Sequence, residues 1–446
     1  MRIGSREGVM LLGKSLAAVA ILLLVGCEAS GRDASPPPQI EAAPQGMPAA
    51  EPLLQRATFH SSYDPLASFF RQLEALRAGK QQHVRIVQLG DSHTAADFFT
   101  GELRDRLQAD FGNGGIGARA PGLPYEGIRK KDMLISQAGR WQYHNSLTDH
   151  AFSDYGLSGF TAVSNSAGAS LSLTATDPRG FDSGFVDFVR RPAGGTLSLY
   201  LDDDLVQSFS VAGPAGSLGR ARVTAPAGGA HTLRLVADRR GIEIIAWDTE
   251  RNDRGILLDS FGVVGATAGI IDNWQESLVG QELALMRPAL IILAYGTNEG
   301  AQTKFDGAAY QADFGTILDK LRRWSGSSSL LVAGPTDGSR QTKNCTPQPD
   351  SGLTCPWRTL PALTTVRQLQ FDAASSHLAA FWDGSETQMR AGGINGWAAM
   401  TPPLARQDHI HFTPAGYAII GGDLYHWLRD GLSAYRPSHH AAETPL

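Results

Sequence analysis

Segments with strand patterns alternate with segments with helix patterns in two separated parts of the chain, and this order limits the fold more than any other feature. In the first part, a helix pattern at 63–78 precedes an apolar run at 84–89 and apolar residues at helical spacing over 94–111. In the second part, apolar runs at 256–264 and 289–295 again precede helix patterns. Such alternation is typical of a parallel sheet with helices on both faces. The sequence therefore predicts one α/β domain made of two segments.

The residues between these two parts, 130–252, have strand patterns alone. Short alternating runs, such as 170–174 and 196–201, are separated by turn residues rich in glycine, and no helical period competes with them. We interpret 130–252 as an inserted β-sandwich module, jelly-roll-like in architecture. The α/β domain then comprises residues 59–129 and 253–435.

The N-terminus has the features of an export signal. Basic residues precede an apolar stretch at 16–26 that is too short to span a bilayer comfortably. The stretch ends in Leu-Val-Gly-Cys27, which resembles the lipobox of bacterial lipoproteins. We therefore predict a lipoprotein signal peptide at 1–26, lipidation of Cys27 and attachment to the periplasmic face of a Gram-negative outer membrane. A plain secretory signal with an incidental cysteine is the alternative.

Two further segments and two further cysteines complete the organisation. Residues 27–58 are rich in Ala and Pro and form a predicted tether, and 436–446 form a predicted disordered tail. Cys345 and Cys355 flank a Pro-containing stretch without helix or strand pattern. In an exported protein this arrangement predicts a disulfide-closed loop, and the spacing without companion ligands argues against zinc.

Charge and glycine content exclude two classes of ligand. Charged residues make up 19% of the chain and the formal net charge is -5, so no broad basic surface is available for nucleic acid. The glycine-rich segment 112–117 follows a helix pattern and lacks the Lys-Ser/Thr ending of a phosphate loop. We expect no nucleic-acid partner, no metal and no cofactor.

The sequence Gly90-Asp91-Ser92-His93 lies between the 84–89 strand and the following helix pattern. A serine at such a turn projects its hydroxyl beyond the sheet, next to the free N–H groups of a helix N-terminus. These groups would stabilise a developing negative charge. Alone, the motif is ambiguous, because Asp and Ser are also ordinary N-cap residues.

Three further blocks follow strands or precede a helix, where the chemistry of parallel sheets is found. They contain Gly265, Asn298 and the pair Asp408 and His411. Asp408 would hold the imidazole of His411, which would act as the base for Ser92. The Ser92 and Gly265 N–H groups and the Asn298 amide would form the oxyanion hole. Taken singly, Asn298 could only cap a helix and Gly265 could only serve a turn.

These four blocks resemble those of the SGNH or GDSL hydrolases, whose markers Ser, Gly, Asn and His match Ser92, Gly265, Asn298 and His411 in order. His93 replaces the leucine of the Gly-Asp-Ser-Leu form, at a position that is not itself catalytic. The resemblance covers the two α/β segments and implies an SGNH-type, flavodoxin-like parallel sheet. It also implies a serine esterase.

Residues 90–100, the glycine-rich loop and the inserted module are similar to the periplasmic peptidoglycan O-acetylesterases, which carry a module like family-35 carbohydrate-binding domains. This likeness implies removal of O-acetyl groups from a cell-wall polysaccharide, with peptidoglycan as the expected partner. Two alternatives stay open at this point: a polysaccharide O-acetyltransferase that uses the same triad, and a lipoprotein that only binds glycan.

Some residues invite a functional interpretation for which a structural one is preferred. Asp202 to Asp204 look like part of a calcium loop, but are more typical of a hairpin tip. Aromatic residues of the module could stack on sugars, although core packing is the better interpretation for most of them; they are Trp141, Tyr143, Tyr155 and Trp247.

Overall fold

The computed structural model describes residues 61–95, 97–125, 131–226, 229–342 and 355–436. The predicted signal peptide, Cys27, the tether, Cys345 and the tail from 437 onward lie outside the described residues. Cys355 is disulfide-bonded. Within the described ranges, no helix combines the length and the hydrophobicity that crossing a membrane requires.

Strands and helices follow one another along the chain as follows. The strands are β1 (His83–Gly90), β2 (Met133–Ala138), β3 (Gln142–Asn145), β4 (Phe160–Ser164), β5 (Ala169–Ala175), β6 (Ser183–Val189), β7 (Thr196–Leu201), β8 (Asp204–Ser210), β9 (Leu218–Thr224), β10 (Thr232–Ala237), β11 (Ile242–Glu250), β12 (Gly255–Gly262), β13 (Leu290–Ala294), β14 (Ser329–Gly334), β15 (Ser339–Gln341), β16 (Trp357–Thr359) and β17 (Ala380–Asp383). The α-helices are α1 (Ala67–Arg77), α2 (Ser92–Ala95), α3 (Phe98–Phe111), α4 (Glu276–Met286), α5 (Thr297–Gly300), α6 (Gly307–Ser325), α7 (Leu363–Ser376), α8 (Glu386–Met389), α9 (Gly393–Ala399) and α10 (Pro414–Ala434); short 3-10 helices span Asp64–Leu66 and Ala268–Asn273.

The α/β part contains a parallel five-stranded sheet in the order β12-β1-β13-β14-β17. Side chains alternate between the two faces of a strand. Val84 and Ile86 of β1 therefore enter a core with α1, α3 and α10, while Val87 and Leu89 enter a second core with α4, α6 and α7. The predicted parallel sheet covered on both faces is confirmed.

The inserted module consists of two five-stranded antiparallel sheets, β2-β5-β10-β7-β8 and β3-β4-β11-β6-β9. Its strands lie between Met133 and Glu250, and a separate apolar core fills the space between the sheets. The predicted combination of an α/β sheet with a β module is confirmed. The part of the module that the structure describes contains no long helix, in accordance with its strand-only sequence pattern.

The aspartates at 202–204 and the aromatic residues of the module have structural positions in the fold. Asp202 and Asp203 form the tip of the β7–β8 hairpin, and Asp202 has a left-handed φ of 55°. Its carboxylate accepts the Thr232 N–H at 2.9 Å. Trp247 and Tyr155 are buried, and the two other aromatic residues, Trp141 and Tyr143, pack against the module core.

A buried cation joins the module to the α/β sheet. The Arg85 guanidinium, on β1, lies 3.0 Å from the Asp248 carboxylate of the module and 2.7 Å from Asp259 of β12. It also pairs with Glu250 of the module. Burial alone would lower the pKa of Arg85, but these carboxylates raise it. Arg85 therefore stays charged and neutralises acidic groups from both parts of the molecule.

Replacing Arg85 by methionine would keep most of the side-chain volume and leave these acidic groups without their shared cation. We expect Arg85→Met to lower the free energy of unfolding by about 3–5 kcal/mol, the cost of breaking a buried ion pair from one side. Urea denaturation would measure this change in the free energy of unfolding. Arg239→Met, at an exposed position of the module, is the control and should change stability by less than about 0.5 kcal/mol. Equal stability of the two variants would contradict the expectation.

A second buried contact between the two parts titrates. Glu282 of α4 accepts the Leu157 N–H of the module segment at 2.7 Å. Burial, and then the nearby Asp187, raises the pKa of the Glu282 carboxyl from 4.5 to about 8. The folded chain therefore keeps a proton that the unfolded chain loses. The resulting stabilisation is complete below about pH 4.5 and is lost as the pH rises through about 8.

Glu282→Gln would keep an acceptor for the Leu157 N–H and remove the titration. We expect the stability of the variant, relative to the wild type, to increase from pH 5 to pH 8. Urea unfolding midpoints at the two pH values would measure this change. A difference between the proteins that is the same at both pH values would show that Glu282 does not carry the proton.

Candidate active site

Ser92 follows the carboxyl end of β1 and begins the four-residue helix α2. The turn requires a glycine before it, because a Cβ on Gly90 would lie 2.2 Å from the Thr94 hydroxyl and 2.8 Å from the Ala294 carbonyl oxygen. Asp91 stabilises the turn by accepting the His93 N–H at 2.9 Å. The local sequence thus places the Ser92 hydroxyl just beyond the sheet edge.

The continuous helix predicted over 94–111 is wrong at its start. The helix breaks after α2, and Asp97 has a left-handed φ of 54° before α3 begins. Burial alone would raise the pKa of Asp97, but Arg119 and Arg104 lower it to about 2. This ionised carboxylate accepts hydrogen bonds from both arginines and from Thr100. Those contacts, which come partly from distant segments, hold the break.

Of the three residues predicted as a triad, His411 lies within hydrogen-bond distance of both Ser92 and Asp408. His411 Nε2 is 2.9 Å from Ser92 Oγ, and His411 Nδ1 is 2.7 Å from Asp408 Oδ2. Asp408 Oδ1 also accepts the N–H groups of Ile410 and His411, each at 2.9 Å. Burial alone would raise the pKa of Asp408, but these hydrogen bonds lower it. An ionised Asp408 keeps the proton on Nδ1 and leaves Nε2 free to accept one from Ser92.

Gly265 and Asn298 lie at the ends of the strands on either side of β1. Gly265 follows β12 with a φ of 82°, a conformation that favours glycine. Asn298 follows β13 and donates one amide hydrogen to the Ala266 carbonyl at 2.8 Å. An amide group has two hydrogens, so the second remains for a substrate oxygen. Both residues therefore follow the strands that flank β1, the strand that leads to Ser92, and their part in an oxyanion hole stays a prediction.

Comparison with known proteins places this geometry in a family. The chain is similar to a solved structure of a peptidoglycan O-acetylesterase, with 25% identity, 85% of this chain and 99% of that chain covered, and a TM-score of 0.68. The chain is an SGNH hydrolase. No family model and no curated protein matches the sequence.

Two other solved structures overlap parts of this SGNH hydrolase, but at TM-scores too low to support an argument. A family two carbohydrate esterase from Clostridium thermocellum, in complex with cellohexaose, has 10% identity and a TM-score of 0.29, with 68% of this chain and all (100%) of that chain covered. A family 35 carbohydrate-binding module from an environmental isolate has 17% identity and a TM-score of 0.21, with 26% and 84% covered.

Sequence reasoning missed a second carboxylate of the hydrolase site. Glu299 directly follows Asn298, is buried, and accepts the Ala268 N–H at 2.8 Å. It therefore holds the far end of the turn that contains Gly265. Burial raises the pKa of Glu299 to about 7. An acidic residue in the turn after a buried strand was the available signal, but its partner is 31 positions away.

The two histidines next to the triad have different surroundings. His93 is buried behind His411, with 5.4 Å between ring centres, and its Nδ1 lies 3.1 Å from the Tyr417 hydroxyl. Burial lowers the pKa of His93 to about 3, so this ring is neutral. His409 stacks on Trp357 at 3.5 Å. Among the described residues, no cluster of three or more His, Cys, Asp or Glu side chains could hold a metal ion.

Glu299 is a positioning residue that holds the turn containing Gly265. Replacing it by glutamine or by alanine separates its role as a hydrogen-bond acceptor from the effect of its charge. Glu299→Gln keeps an acceptor for the Ala268 N–H, whereas Glu299→Ala removes it and releases the Gly265 turn. We expect the alanine variant to lose about 10- to 100-fold in kcat on p-nitrophenyl acetate, because small displacements at a reacting centre are costly. KM should change little, and the glutamine variant should stay near wild type. Equal loss in both variants would contradict the positioning role.

Proposed function

We propose that this SGNH hydrolase is a serine esterase that removes O-acetyl groups from a cell-wall polysaccharide, with peptidoglycan as the substrate. The observation that carries the proposal is the contact of His411 Nε2 with Ser92 Oγ at 2.9 Å, continued to Asp408 at 2.7 Å. The likeness to the peptidoglycan O-acetylesterase, which extends over 85% of the chain, supports the choice of substrate.

The reaction proceeds through an acetyl-enzyme. His411 Nε2 takes the Ser92 proton while Oγ attacks the ester carbonyl, and the imidazolium then protonates the departing sugar oxygen. A water molecule next loses a proton to His411 and attacks the acetyl carbon, which releases acetate and restores the serine. Asp408 supports the positive charge of the imidazolium in both halves.

Negative charge on the carbonyl oxygen forms in each half of the reaction. The N–H groups of Ser92 and Gly265 and the free amide hydrogen of Asn298 would donate to it. These donors are held before substrate arrives, since Asn298 is bonded to Ala266 and Glu299 to Ala268. Preorganised donors of this kind commonly supply the largest part of the stabilisation of such a transition state.

The surroundings of the triad suit a polymeric substrate and water as the acceptor. The His411 side chain is 34% exposed, and an open groove of about 590 Å³ lies next to Asp408, the partner of His411. The groove is bordered by Arg406, Asp408 and His409. An exposed base leaves room for a polymeric substrate, and it leaves the acetyl-enzyme accessible to water. Water access favours hydrolysis over the transferase alternative.

The proposed location follows from the sequence. A lipid on Cys27 and the 27–58 tether would hold the enzyme at the periplasmic face of the outer membrane, within reach of the wall. The β module would add contacts with the polysaccharide. Metabolic labelling with a fatty acid, lost in Cys27→Ala, would test the anchor.

We expect Ser92→Ala to reduce acetate release from O-acetylated peptidoglycan, and hydrolysis of p-nitrophenyl acetate, by about 10⁴-fold or more, because loss of a triad nucleophile removes the covalent route. Peptidoglycan stripped of acetate with mild base is the substrate control, and thermal unfolding of the variant checks its fold. Undiminished release by the variant would exclude the serine esterase. Acetyl transfer to an added chitooligosaccharide, detected by mass spectrometry, would favour the transferase.

A further inference from the structure

The inserted module contributes a side chain to the oxyanion side of the site. Leu147 lies in the module segment between β3 and β4. The Leu147 Cδ2 atom lies 3.7 Å from the position that a Cβ on Gly265 would occupy. Apart from the chain neighbours of Gly265, no other described residue has a heavy atom within 4 Å of that position. Val264, next to Gly265, is 51% exposed. Two apolar side chains therefore flank the glycine.

Leu147 is held in this position from both sides. Its N–H donates to Asn145 Oδ1 at 2.9 Å, which closes a tight turn of the module. The preceding residue, Ser146, accepts hydrogen bonds from the 3-10 helix that follows Gly265 and from the residue after it: Asn273 Nδ2 donates to the Ser146 carbonyl at 2.9 Å, and Trp274 Nε1 donates to the Ser146 hydroxyl at 3.2 Å. Leu147 is thereby fixed relative to the Gly265 turn.

The position of Leu147 has a consequence for the acyl group of a bound ester. We consider an ester whose carbonyl oxygen accepts the Gly265 N–H. The carbon attached to its carbonyl carbon is two covalent bonds away from that oxygen. An acetyl group ends at that carbon. A longer chain would continue from it and would compete for space with the Leu147 side chain, which lies next to Gly265.

We propose that Leu147 limits the acyl group of the substrate to acetyl, so that the inserted module sets the acyl specificity of the enzyme. The inference rests on the proposed esterase function and extends it to a specificity-determining residue. It assigns to the module a part in the reaction that is independent of any glycan binding by the module.

Two substitutions of opposite size test the role. The substrates are p-nitrophenyl acetate, propionate and butyrate, and the measured quantity is the ratio of kcat/KM for butyrate to that for acetate. Leu147→Ala should raise this ratio by about tenfold or more, the usual discrimination for a methylene group or two in an apolar pocket. Leu147→Phe should lower it. Leu134→Ala, at an exposed position on the edge strand β2, should leave it unchanged.

The paired design separates specificity from loosening of the turn. If Leu147 only supported the Gly265 turn, both variants would lose activity on all three esters with an unchanged ratio, and the proposal would be overturned. A ratio that moves in the same direction in both variants would overturn it as well. The proposed function is tested separately, because its failure requires acetate hydrolysis by the wild type that Ser92→Ala does not abolish.

Discussion

The register of three neighbouring parallel strands is the constraint on which the site depends. Gly90 at the end of β1 pairs with Gly262 of β12 and with Ala294 of β13. The chain therefore leaves the sheet at the same level in all three strands, and the turns that follow carry Ser92, Gly265 and Asn298. A shift of one residue in either pair would turn side chains to the opposite face. The apolar cores on both faces oppose such a shift, since Val84 and Ile86 of β1 belong to one core and Val87 and Leu89 to the other.

The β module is attached to this sheet through buried charge as well as through apolar contact. Arg85 of β1, the strand that leads to Ser92, pairs with Asp248 and Glu250 of β11. The module also reaches the Gly265 turn through Ser146 and Leu147. An insertion of this length could have remained a separate unit on a linker. The buried contacts instead join it to β1 and to the Gly265 turn.

The sequence predicted the parts of this arrangement that depend on local pattern. Periodicity identified the parallel sheet and the β module, and the residues at strand ends pointed to Ser92, Gly265, Asn298, Asp408 and His411. The fold brings Ser92, His411 and Asp408 together and bonds Asn298 to the residue after Gly265. Contacts between distant segments were beyond its reach. The helix break at Asp97 depends on Arg119, and the position of Leu147 depends on how the module packs. Neither contact leaves a periodic signal. A charged residue, or a leucine in a loop, looks the same in the sequence whether it is buried or exposed.

The protonation states of the groups around the triad explain why so many polar side chains can be buried there. Burial raises the pKa of both Asp91 and Glu299 to about 7 and lowers that of His93 to about 3. Between about pH 3 and pH 7 these three groups are therefore mainly uncharged, while hydrogen bonds lower the pKa of Asp408 and favour its ionised form. A negative charge close to the oxyanion hole would oppose the charge that forms on the substrate oxygen. Confining the anion to Asp408, on the far side of His411 from Ser92, lets it stabilise the imidazolium instead.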